Sequence, residues 1–234
     1  FSKNVPTYWG DQPILEAPAY IGITVFFFAL FGFFFTKGPL RNSLLLGTLF
    51  SLLLSWGKNM PFITDLLIDY FPFYNKFRAV SSIQVVLEFC LPISASIGLY
   101  NLFYKEKKFD FKRFIKIAVI PIILLVIIFL SKDMLSFSGL NDSYLREIYG
   151  SDLFSQIKEA RVSVFQADIL RGILFCAVLI IIINLYEFNR IKRGLALGFV
   201  IFILSLDLLS IANRYIDRGA FVSSRLASKP FNVT

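Results

Sequence analysis

Ala17 to Thr36, APAYIGITVFFFALFGFFFT, holds no charged residue in twenty positions and is closed by Lys37 and Arg41. At a helical rise of about 1.5 Å per residue, such a run matches the roughly 30 Å hydrocarbon core of a bilayer. The rest of the chain repeats the pattern. Of 234 residues, 56% are hydrophobic and 17% charged, and the mean hydropathy is +0.69. That leaves too little polar surface to cover a water-soluble globule.

The formal charge of +8 does not mark a nucleic-acid surface, because the basic residues punctuate apolar segments instead of forming a patch. Beyond residues 17–36, further spans are expected at about 42–57, 79–104, 114–131, 164–186 and 194–212. The second is short, about 24 Å, and requires Arg41 and Lys58 to snorkel or the bilayer to thin. The expected fold is all-α: a polytopic transmembrane helical bundle of about six spans, a single region over 1–234 with no soluble domain and no internal repeat. Short amphipathic helices should lie at the interface. In 61–71, Pro61 suits a first helical position and places Asp65 and Asp69 one turn apart, opposite Leu66, Leu67 and Phe71. A second, 151–162, reads as Ser-capped and leads toward the fifth span.

Orientation follows from basic residues in short connections. Segments 37–41, 105–116 and 187–193 carry two, six and three of them, whereas 57–78 and 131–163 are longer and diluted by Asp and Glu. The first set is expected in the cytoplasm, which puts both ends of the chain outside it. Phe1 opens the sequence with no basic n-region and no cleavage site, so a piece of a longer protein is expected.

With no His in the sequence, imidazole ligands, His-based triads and His proton shuttles are excluded. Cys90 and Cys176 lie in apolar runs and imply no disulfide framework. Attention passes to ionisable groups inside the spans, which are costly to leave unpaired in hydrocarbon. Glu88 has Gln84 one turn above and Pro92 one turn below, and Pro92 cannot donate to its carbonyl. Either Glu88 lines a hydrated cavity, or it is a neutralised packing group. Asp207 shares a stripe with Ser210 and Arg214, consistent with a water-lined track or with interhelical hydrogen bonding. Asp168 and Arg171, three apart, can pair with each other at the interface.

The densest polar stretch is Ser55-Trp56-Gly57-Lys58-Asn59 followed by Asp65, Asp69, Asn75, Lys76 and Arg78. Lys58, Lys76 and Arg78 offer cationic donors for a phosphate or pyrophosphate, with Asn59 and Asn75 beside them. Trp56, Tyr70, Tyr74 and Phe77 equally fit an interfacial anchor. Gly57-Lys58 lacks the upstream glycine of a phosphate-binding loop, and Gly194-Leu-Ala-Leu-Gly198 is a packing motif that apolar sequences produce by chance.

Six blocks together carry a family resemblance: YWGDQP at 8–13, KGPLR at 37–41, LLSWGKN at 53–59, YNKFRAVS at 74–81, ADILR at 167–171 and DLLSIANRY at 207–215. The chain resembles the YfhO family of bacterial polytopic membrane proteins, particularly its Bacteroidetes-type members. That family is similar to the GT-C glycosyltransferases, which move a sugar from a polyprenyl-phosphate carrier to an acceptor on the outer face. The resemblance implies a longer parent in the bacterial cytoplasmic (inner) membrane, with more helices upstream and an extracytoplasmic domain downstream. It implies an acidic catalytic loop upstream of this region, so no catalytic residue transfers to these positions. No cofactor is expected within 1–234, a divalent metal belonging to the full-length protein. Expected partners are the lipid bilayer and a polyprenyl-phosphate sugar donor, with no nucleic acid. The alternatives are a transporter or lipid flippase using Glu88 and Asp207, or a non-catalytic membrane scaffold.

Overall fold

The computed structural model describes residues 7–10, 20–71, 74–76, 80–105 and 110–215, apart from the side chains of Lys58, Asn75, Val80 and Ser81. The described residues form α-helices and short 3-10 turns, without a strand. The helices are α1 (Ile23–Phe35), α2 (Pro39–Ser55), α3 (Pro61–Tyr70), α4 (Gln84–Phe103), α5 (Phe111–Ala118), α6 (Ile120–Leu130), α7 (Asp142–Glu187) and α8 (Arg193–Tyr215). Four runs are long and apolar enough to cross a membrane: α4, α5 with α6, α7 and α8. The chain is a helical membrane protein, as the sequence predicts.

Local sequence sets several boundaries. Gly38, at φ 107°, turns the chain and Pro39 supplies a first helical residue with φ already fixed, so α2 starts three residues before the expected span. Pro121 has no N–H to return to Ile117, and the fourth run breaks at Val119 into α5 and α6. Asp110 caps α5 by accepting from the Lys112 N–H at 2.9 Å. α7 changes direction at Gly150 (φ 76°) and then continues unbroken from Ser151 to Glu187, about 55 Å at the helical rise. The amphipathic 151–162 segment is thus continuous with the fifth span, with Phe154, Ile157 and Ala160 buried.

α1, a short apolar helix of 13 residues, sits at the centre. Phe27, Phe28 and Phe31 are buried among Phe103 of α4, Phe114 of α5, Leu179 and Ile183 of α7 and Val200 of α8. The crossing of α1 and α4 is close because Gly32 and Gly98 lack side chains: a Cβ on Gly32 would run into the Ser94 carbonyl, and one on Gly98 into that of Phe28. Ser94 Oγ donates to the Ala29 carbonyl across the same contact at 3.2 Å. By contrast, a Cβ added at Gly194 or Gly198 would meet nothing within 4 Å, so that motif packs no helix here.

The three basic connections gather at one end of the bundle. There Asn101 donates to Thr36 Oγ1 at 3.0 Å, Arg113 donates to the Phe34 carbonyl at 2.8 Å, and Tyr186 OH donates to the Phe103 carbonyl at 3.2 Å. Arg193 lies 4.8 Å over the Tyr104 ring. The opposite end holds the start of α1, the ends of α2, α6 and α8, and the N-terminal part of α7. Its α3 begins at Pro61 as expected and exposes Asp65 and Asp69, yet buries no residue.

Candidate functional site: an arginine-lined cavity

At this second end α1 begins on Gly22, at φ 99°, with no side-chain cap of its own. The cap comes from α8. Asp207, fully buried, accepts from the Thr24 N–H at 2.9 Å and from Tyr20 OH at 2.5 Å. A carboxylate at a helix N-terminus satisfies an orphan donor and meets the positive end of the helix dipole. Asp207 therefore does the interhelical bonding that the sequence left as one of two readings.

Around this capped start, Arg171 of α7 donates to Ser210 Oγ at 2.5 Å and to Tyr20 OH at 3.3 Å. Its guanidinium lies 5.5 Å from the centre of the Tyr20 ring. Asp168 is 3.6 Å from Arg171, but its shorter contacts, 2.6 and 2.7 Å, are with Arg214. The expected pairing of Asp168 with Arg171 is present as the weaker arm of a triad. Arg214 belongs with Asp168, not with its own-helix neighbour Asp207. Two guanidinium groups thus share one carboxylate.

A third arginine completes the wall. Arg161 is 1% exposed and donates through Nη1 to Asp142 and to the Phe137 carbonyl, each at 2.9 Å. Phe137 takes a left-handed φ of 49°, which turns its carbonyl to this task, and its ring packs against Trp9 at 4.9 Å and Phe165 at 5.3 Å. The Nε donors of Arg161 and Arg171 are buried and have no partner among the described residues.

These groups line a cavity of about 550 Å³. Tyr20, Arg161, Asp168, Arg171, Arg214 and Tyr215 supply its polar wall, and Phe26, Leu91, Leu125, Ile128, Ile169 and Ile211 its hydrocarbon wall. An anionic head joined to an apolar chain is the ligand chemistry such a wall matches. Among the described residues there is no cluster of three metal-ligating side chains. Cys90 and Cys176 are free and buried, consistent with packing roles.

The other sequence candidates stand apart. Glu88 is exposed on the outer face of α4 and Gln84 is half-buried; neither lines the cavity. Asn59 and Lys76 are exposed, in two separate 3-10 turns, Gly57–Asn59 and Tyr74–Lys76, on either side of α3. The side chains of Lys58 and Asn75, and the whole of Arg78, lie outside the described residues. The described part of the rim and the cavity share one end of the bundle: Ser51 donates to the Ile83 carbonyl at 2.7 Å where α2 rises beside the start of α4.

Sequence reasoning passed over Tyr20, Trp9 and Arg161. Arg161 had a signal: it falls four residues after Ile157 and seven after Phe154, inside an apolar stripe where an arginine needs a buried partner. No protein-family model matches the chain, and neither does any curated protein or solved structure. Fold and site define a helical membrane protein with an arginine-lined cavity at one end.

Proposed function

We propose that this bundle is the membrane portion of a GT-C-like glycosyltransferase, and that its cavity receives the phosphate of a polyprenyl-phosphate-linked sugar at the extracytoplasmic face of a bacterial inner membrane. The observation that carries this reading is the sharing of Asp168 by Arg171 and Arg214 beside a hydrocarbon wall. That triad bears a net positive charge, which a phosphate would balance, and the unpartnered Nε donors of Arg161 and Arg171 would gain acceptors. The enzyme class and the polyprenyl carrier rest on the resemblance to the YfhO family. The outward facing of this end rests on the density of basic residues in the three opposite connections.

Support over the transporter reading comes from placement. A transport path requires polar groups spread in depth along facing helices, whereas the cavity's polar groups gather at one end and its lining includes neither Glu88 nor Asp207.

A binding titration tests the reading. Trp9 lines the cavity, so in a Trp56→Phe background its fluorescence should respond saturably to polyprenyl phosphate in micelles. Arg171→Gln should weaken binding by about 10- to 100-fold, the loss of one or two charge-assisted bonds. Equal binding of the uncharged polyprenol would overturn it.

A further inference from the structure

The cavity changes character along α7, which lines it from Arg161 to Gly172, about 16 Å of helix. Hydrocarbon holds the Gly172 end, where a Cβ on that glycine would meet the Leu125 side chain at 3.0 Å. Next along the helix come Arg171 and Asp168, with Arg214 across from them. Phe165 is about 9 Å beyond Arg171 toward the start of α7, and there the wall turns aromatic. Phe165 meets the Phe137 ring edge-on at 5.3 Å, and Phe137 packs against Trp9 at 4.9 Å. Trp9 is held from behind. The Phe137 carbonyl is fixed by Arg161, and Gly139 leaves room for the Trp9 backbone, since a Cβ there would lie 3.1 Å from the Trp9 Cα. Half-buried, Trp9 still lines the cavity beside Thr7. An interfacial anchor would turn its indole to lipid, whereas this one is a fixed platform with little side-chain freedom left to lose on binding.

We infer that the Trp9 end of the cavity is a sugar subsite, in which one pyranose ring stacks its C–H face on the indole with the Thr7 hydroxyl beside it. The inference rests on the phosphate site proposed above. Its support is the order of the walls: hydrocarbon, then paired arginines, then an aromatic platform, which is the order of prenyl chain, phosphate and sugar in such a donor. A pyranose presents an apolar face rimmed by hydroxyls, the surface that an indole bordered by a polar side chain accepts. The step from Arg171 to the Phe165 level is about the reach of a single ring from its phosphate, and a volume of about 550 Å³ is in the range of clefts that enclose a ligand of this size.

The test is calorimetric titration of the full chain in detergent. One probe is farnesyl methyl phosphate, which has the charge of a sugar-bearing diester and no ring; the others are farnesyl phosphate diesters of glucose, galactose, mannose and N-acetylglucosamine. At least one sugar diester should bind about ten-fold tighter than the methyl diester. Trp9→Leu should remove that gain, so that sugar and methyl diesters bind alike, and Trp9→Phe, which keeps an aromatic ring against Phe137, should retain part of it. Sugar diesters that all bind no tighter than the methyl diester would overturn the inference, as would a gain that survives intact in Trp9→Leu. Failure of the phosphate site reads differently: Arg171→Gln would then leave the methyl diester unaffected, and the sugar subsite would fall with it.

Discussion

Arg214, at the end of α8, grips Asp168 of α7 through both Nη atoms, at 2.7 and 2.6 Å, and leaves Arg171 with only a 3.6 Å share of the same carboxylate. The grip holds two membrane helices together and keeps the shared carboxylate against the cavity.

Replacing Asp168 by Asn should therefore act in two directions. Arg214 and Asp168 are 38% and 33% exposed, so the pair is worth no more than about 1 kcal/mol, and the drop in thermal stability should be small. Affinity for polyprenyl phosphate should rise, because the carboxylate competes with the incoming anion for both arginines. Calorimetric unfolding and the Trp9 titration on one preparation check both signs.

Arg161 should behave differently. Its removal strands the buried Phe137 carbonyl and leaves the half-buried Asp142 carboxylate without its counter-charge, a loss of up to about 3 kcal/mol. Arg161→Met should unfold in detergent at far lower temperature than Arg214→Met, and comparable values would contradict the buried role.

The contrast bears on what a sequence can disclose. Long apolar runs state the helices directly, because hydrocarbon accepts few other backbone structures. The split at Val119 followed from Pro121, yet periodicity over 114–131 concealed it. Partner choice was harder. Asp168 and Arg171 look like a pair at three-residue spacing, but a residue 46 positions away closes more tightly on Asp168. Asp207 stayed open between a water-lined track and interhelical bonding, since nothing local announces that α1, starting on a bare glycine, takes its cap from α8. Asn59 and Lys76 drew attention by density along the chain, which differs from convergence in space.

Gly98 and Gly194 give a clean comparison. Gly98→Leu should separate α1 from α4 and cut the yield of folded protein severely, since a side chain there meets backbone. Gly194→Leu should leave yield and melting temperature within error. Detergent-resistant monodispersity in gel filtration reads both.

Orientation is open to chemistry. Asn59→Cys and Asn189→Cys sit at opposite ends of the bundle, on exposed residues. A membrane-impermeant maleimide should label position 59 in intact cells and position 189 only after lysis, and the reverse pattern would invert the proposed topology.

The most direct test is photolabelling with a polyprenyl phosphate carrying a diazirine in the isoprene unit next to the phosphate, followed by peptide mapping. Adducts should fall on the cavity wall, at Leu125, Ile128 or Ile169, and be lost in Arg171→Gln. Adducts confined to residues 57–78, and unaffected by that substitution, would contradict the cavity as the carrier site.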